Sequence, residues 1–184
     1  MFKIIALIGE AGSGKDSIMK RVLAIEPSLH EIVSCTSREP RENEIEGTNY
    51  YFYTKEGFEN KIQKNEMLEY TLFNNWYYGT SYDSLSKEKI NIGVFNPSGI
   101  RLLSKRNDIE LITVYINRPA KLRLMGQLNR EENPNVSEIA RRVLADELDF
   151  SKLDFEYKTI YNETHEDWMN HCPQYIVSLL DKFR

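Results

Sequence analysis

An apolar run, Phe2-Lys3-Ile4-Ile5-Ala6-Leu7-Ile8, passes without a break into Gly9-Glu10-Ala11-Gly12-Ser13-Gly14-Lys15-Asp16-Ser17. Few folds accommodate that junction. The run has the length of a buried strand, and Ile18, Met19, Val22 and Leu23 then recur at 3- and 4-residue spacing, as on an amphipathic helix. A strand that enters a helix through glycines opens a βαβ unit, so the expected fold is α/β: a parallel sheet covered by helices on both faces. The glycines let the backbone wrap with its N–H groups inward. The helix adds the positive end of its dipole, and Lys15 adds a point charge for the β- and γ-phosphates of a nucleotide. Gly12, Ser13, Gly14, Lys15, Asp16 and Ser17 are therefore the candidate ATP contacts. The simple phosphate-loop pattern wants a hydroxyl directly after the lysine to touch Mg²⁺. Here Asp16 stands there and the hydroxyl follows at Ser17, the candidate metal contact. Asp16 equally suits a carboxylate in the first turn of a helix.

The chain of 184 residues has the size of one domain, without repeat or linker. A second strand is expected to end near Ile32-Val33-Ser34. From about residue 34 to 81 the aromatics are dense and Gly47 and Gly79 punctuate the run, which suggests an inserted small sheet with one helix, about Lys55 to Lys64. Then α/β alternation resumes. Strands are expected at Ile90–Phe95, Leu111–Ile116 and Tyr157–Tyr161, and helices at Ile100–Leu103, Ala120–Asn129 and Ser137–Asp149, the last with Ser137 as N-cap. A closing helix from Glu166 to Phe183 should be interrupted near Pro173. The expected division is a core of residues 1–33 and 82–184, the insert, and a lid of about 126–137.

No apolar run reaches bilayer length, and the N-terminal run is too short for a signal peptide. Cys35 and Cys172 lie far apart with no CxxC partner, so neither a metal site nor a disulfide framework is indicated, and a reducing, cytoplasmic setting is the expectation. A formal net charge of −4 argues against a general nucleic-acid binder but not against holding a nucleotide with a few convergent cations.

The insert carries four ordered blocks: Ser34-Cys35-Thr36-Ser37-Arg38-Glu39-Pro40-Arg41, Gly47-Thr48-Asn49-Tyr50-Tyr51-Phe52, Asn65-Glu66-Met67-Leu68-Glu69-Tyr70 and Asn75-Trp76-Tyr77-Tyr78-Gly79-Thr80. Arg38 and Arg41 bracket a proline and present two guanidinium forks to one phosphate. Tyr50 and Tyr78 can donate hydroxyls to it. Ser34 can meet a purine O6, and Glu69 can accept from the N1–H and 2-amino group that guanine has and adenine lacks. Together the blocks resemble the GMP-binding insert of guanylate kinases. The match is close over the first half of the chain and loose over the second.

That resemblance implies phosphoryl transfer from ATP to GMP or dGMP. Acceptor contacts would be Ser34, Arg38, Arg41, Tyr50, Glu69, Tyr78, Thr80 and Asn96. Where the family carries an acidic segment at a strand end, this chain has Val94-Phe95-Asn96-Pro97-Ser98-Gly99, which supplies no charge to order a metal. Arg130 and Arg142 resemble the family's lid arginines, with Arg123 and Arg141 as competitors for the same roles. Asn162 resembles the asparagine beside the adenine of ATP. Adenylate kinases are similar at the loop, with a non-hydroxyl residue after the lysine and Thr next. The resemblance leaves two other functions open, a kinase of other (deoxy)nucleoside monophosphates and a non-catalytic guanylate-kinase-like interaction domain. The intact loop favours the enzyme.

Overall fold

The computed structural model describes residues 1–42, 44–73, 75–129 and 132–183. Its core is a five-stranded sheet in the order β2-β7-β1-β8-β9. The strands are β1 (Phe2–Ile8), β2 (His30–Glu31), β7 (Asn91–Val94), β8 (Ile109–Asn117) and β9 (Lys158–Tyr161). Every pairing between them is parallel. The central strand explains its own composition. Ile5 and Leu7 face a cluster with α1 (Lys15–Ile25) and the closing helices, while Ile4, Ala6 and Ile8 face Ile100 and Leu103 of α3 (Pro97–Leu103). With both faces covered, the stretch Ile4 to Ile8 has no side on which a polar residue could alternate, and the strand's one charged residue, Lys3, stands near its start.

The insert forms a second sheet in the order β4-β3-β6-β5. Its strands are β3 (Cys35–Thr36), β4 (Tyr51–Phe52), β5 (Met67–Phe73) and β6 (Trp76–Ser81). The helix α2 (Lys55–Gln63) is capped by Thr54, whose hydroxyl accepts from Gly57 N at 3.0 Å. It closes a third cluster around Cys35, Phe58 and Met67, with the Phe58 and Tyr77 rings stacked 5.1 Å apart.

Three expectations need correction. The second core strand is only His30–Glu31 and does not run to Ser34, because the chain is already leaving for the insert: Ser34 O accepts from Tyr51 N at 2.8 Å. The helix α5 (Val136–Phe150) is capped by Asn135, not Ser137; the Asn135 side chain accepts from Glu138 N at 3.0 Å. Pro134 favours an extended residue before it and leaves Asn135 as the first position able to cap. Near Pro173 the helical path changes pitch. A π-turn (Asp167–His171) meets α6 (Cys172–Ser178), with Pro173 in its first turn where a missing N–H is tolerated, and a 3₁₀ turn (Leu179–Phe183) follows. Among the described residues no helix is long and apolar enough to cross a membrane.

Candidate active site

A cleft of about 360 Å³ lies where the loop after β1, the insert and α5 meet. Lys15, Ser34, Arg38, Arg41, Tyr50, Glu69, Tyr78, Asn96 and Arg142 all line it. Arg130 lies outside the described residues.

On the loop, Lys15 Nζ donates to Gly9 O at 2.6 Å and Glu10 O at 3.1 Å. Burial lowers the Lys15 pKa, while the nearby carboxylates of Asp16, Asp146 and Glu10 work against that. Gly12 is left-handed, at φ +80, and a Cβ there would stand 2.5 Å from Arg123 O, so α4 (Ala120–Leu128) can approach only a glycine. From that side Arg118 NH1 donates to Gly12 O at 3.2 Å and Gln127 Nε2 to Ala11 O at 3.3 Å. Arg123 lies 3.5 Å from the Glu10 carboxylate. The loop's carbonyls are thus tied to its flanks. Asn162 is buried and donates to Ser13 O at 2.8 Å, bracing the loop from beneath. Asp16 and Ser17 are exposed at the start of α1. Among the described residues no three His, Cys, Asp or Glu side chains converge on a metal position.

On the insert, Arg38 is buried at 8% exposure and its NH2 reaches both oxygens of Glu44, at 2.9 and 2.8 Å. Burial works against the Arg38 charge, but the Glu44 carboxylate outweighs it and raises the pKa. The guanidinium also lies over the Tyr50 ring, 5.7 Å from its centroid. The backbone N–H of Arg41 donates to Glu44 at 2.9 Å. Burial lowers the Arg41 pKa, and the charges of Arg142 and Arg38 lower it further, so three arginines converge. At the far end Glu69 is buried on β5. Burial pushes its carboxyl up to about 7, although the Thr80 hydroxyl and N–H favour the charged form. A Cβ on Gly99 would stand 2.9 Å from Glu69 Oε2. Asn96 caps α3, accepting from Gly99 N at 2.7 Å, and its amide donates to Thr71 Oγ1 at 3.1 Å.

Across the cleft, Glu138 on α5 holds two arginines. Arg142 Nε donates to it at 2.9 Å, and Arg141 donates at 2.7 and 2.8 Å. Hydrogen bonds from Arg141 first, then from Arg142, lower the Glu138 pKa to about 2. Arg141 also covers the Phe73 ring at 5.2 Å, joining α5 to the insert.

Sequence reasoning missed Glu44, Arg118, Gln127, Glu138 and Asp146. The spacing of Glu138 to Arg141 and Arg142 was a usable signal, since i,i+3 and i,i+4 charges meet on a helix. No local pattern points to Asp146, which reaches the loop from 135 residues away.

The family model described as guanylate kinase matches residues 1–179. The guanylate kinase of Prochlorococcus marinus (strain MIT 9312) is 32% identical over 162 residues, 84% of this chain and 87% of that relative. The guanylate kinase of Wigglesworthia glossinidia brevipalpis is 32% identical over 182 residues, 94% of this chain and 86% of that protein. A crystal structure of guanylate kinase from Anaplasma phagocytophilum superposes with a TM-score of 0.68 over 98% of this chain and 85% of that one; at 19% identity it speaks to the fold. With nearly every residue inside the family model and two curated relatives matched over most of their length, the chain belongs to the guanylate kinase family and is a nucleoside-monophosphate kinase.

Proposed function

We propose that the protein transfers the γ-phosphoryl group of ATP to the phosphate of GMP or dGMP, giving ADP and GDP or dGDP. The observation that carries the guanine assignment is Glu69, a buried carboxylate in the wall of the cleft with no ion pair among the described residues. A purine edge with two adjacent N–H donors would satisfy it, and adenine offers no such edge. Ser34 lines the same cleft and can meet the O6. Thr80 stands opposite Glu69 on the neighbouring strand.

Arg38, Arg41, Tyr50 and Tyr78 bind the acceptor phosphate in this reading. Gly12, Ser13, Gly14 and Lys15 hold the donor phosphates, Asn162 steadies that loop, and Arg142, with Arg130, neutralises charge on the transferred group. Asn96 acts through the cap that sets α3 against Glu69. Mg²⁺ on the donor phosphates would supply further neutralisation, with Ser17 the nearer protein group. No protein nucleophile is needed, because positioning and charge neutralisation suffice. Two buried free thiols, Cys35 and Cys172, suit a reducing cytoplasm.

A coupled ADP-release assay across ribo- and deoxyribonucleoside monophosphates tests the assignment. GMP or dGMP should exceed AMP, CMP and TMP in kcat/KM; equal values for AMP and GMP would refute it. Lys15→Ala should abolish transfer without lowering the melting temperature, since its amine meets backbone carbonyls at a cleft wall rather than core side chains. Near-native kcat in that variant would rule out the loop as the donor site.

A further inference from the structure

Asp146 lies on α5 one turn beyond Arg142 and lines the same cleft. Its Oδ2 accepts the backbone N–H of Ala11 at 2.6 Å. Ala11 sits inside the glycine loop, and its amide is among the donors that such a loop turns toward phosphate oxygens. One N–H cannot serve a carboxylate and a phosphate together, and the two anions repel at that distance. The opposite side of this loop segment is already committed. Ala11 O and Gly12 O are held by Gln127 and Arg118, which leaves the amide, now held by Asp146, as the group of this segment that a ligand can contest.

The surroundings show an anion held under tension. Burial raises the Asp146 pKa and the Glu10 charge raises it further, while the Ala11 N–H, Lys15 and Arg123 lower it. A carboxylate held by one hydrogen bond competes for that amide with any ligand that brings more charge and more oxygens.

We propose that Asp146 sets the affinity for the donor nucleotide by occupying the Ala11 amide in the empty protein, as an internal anion that the donor's phosphates must expel. The proposal rests on the reading of the loop as the donor site.

The test is ATP binding by calorimetry, with Mg²⁺ and separately with EDTA, to the full-length wild type, Asp146→Ala and Asp146→Asn. Asp146→Ala should bind ATP about tenfold tighter under both conditions, since a competing charge-assisted hydrogen bond is gone. Asp146→Asn keeps the acceptor without the charge and should fall between the two. GMP affinity should not change in either variant. Unaltered or weaker ATP binding in both variants would overturn the proposal. A loss confined to the Mg²⁺ condition would overturn it too, by showing a carboxylate that orders the metal. A residue that only braces the loop would weaken the ligand when removed, so tightening separates the proposal from that role, and the intermediate Asn variant separates loss of charge from loss of the hydrogen bond. Lys15→Ala separates the two failures: if it leaves ATP affinity intact, the donor-loop reading falls; if it lowers affinity while Asp146 variants behave as wild type, only the present proposal falls.

Discussion

Burial holds the Glu69 carboxyl at a pKa of about 7, against an ordinary 4.5. Between those values the native protein binds a proton that the unfolded chain has released. The contribution of this one group to stability is therefore fully present below about 4.5 and is lost as the pH rises through 7, about 3 kcal/mol in all. Chemical denaturation of the wild type and Glu69→Gln across that range checks the sign, because the Gln variant should lack this slope. Recognition runs the other way. Guanine's two donors need the ionised form, so kcat/KM for GMP should climb with pH and level off above about 7, and Glu69→Gln should lose that limb. The same variant should lower the GMP/AMP ratio about 30- to 150-fold, the equivalent of about 2–3 kcal/mol. If the ratio holds, Glu69 does not read the base. The identity of Glu69 was legible from its sequence block. Its perturbed titration was not, since that comes from burial among elements distant in sequence, with Gly99 of α3 packed close to its carboxylate.

At the scale of elements, the hairpin of β5 and β6 depends on one missing side chain. A Cβ on Gly79 would stand 2.4 Å from Glu69 O and 2.9 Å from Tyr70 Cα, and backbone atoms cannot swing aside. Gly79→Ala should spread the strands and displace Glu69 and Tyr78 together. We expect a loss on the order of 10²-fold in kcat/KM for GMP, with ATP affinity retained. An unchanged KM for GMP would show that the hairpin tolerates the spread. Removing the cap of α5 tests the local reading of that helix. Asn135→Ala should cost about 1 kcal/mol in a melting experiment, whereas Ser137→Ala should cost little. Long elements such as β1 and α1 were legible because burial marks many residues, as an unbroken apolar run in β1 and a helical period in α1. Two-residue strands such as β2, β3 and β4 carry no period, and competing caps two positions apart are separated only by the path of the preceding chain.

On the scale of the whole molecule, the two sheets keep separate interiors, and Leu68 of β5 is the buried insert residue that reaches into a core cluster. Phe58→Ala should cost about 3–5 kcal/mol. Hydrogen exchange should show that loss in β5 and β6 while β1 and β8 keep their protection. The sequence alternation announced a parallel covered sheet but could not rank its strands, because the order β2-β7-β1-β8-β9 is fixed by crossovers rather than by local pattern. The pairing of cleft charges has one more consequence. Glu44 sits on Arg38, Glu138 on Arg142, and Asp146 close to Lys15, so the unliganded cleft carries its own counterions and draws little chloride from solution. Substrate phosphates replace those carboxylates without releasing a cloud of salt. GMP and ATP affinities should then fall only shallowly as sodium chloride is raised, where a bare cluster of arginines would lose affinity steeply through screening. Titrations at several ionic strengths would expose the difference in a single plot, and a steep decline would mean that the carboxylates leave those cations open to the bulk ionic atmosphere.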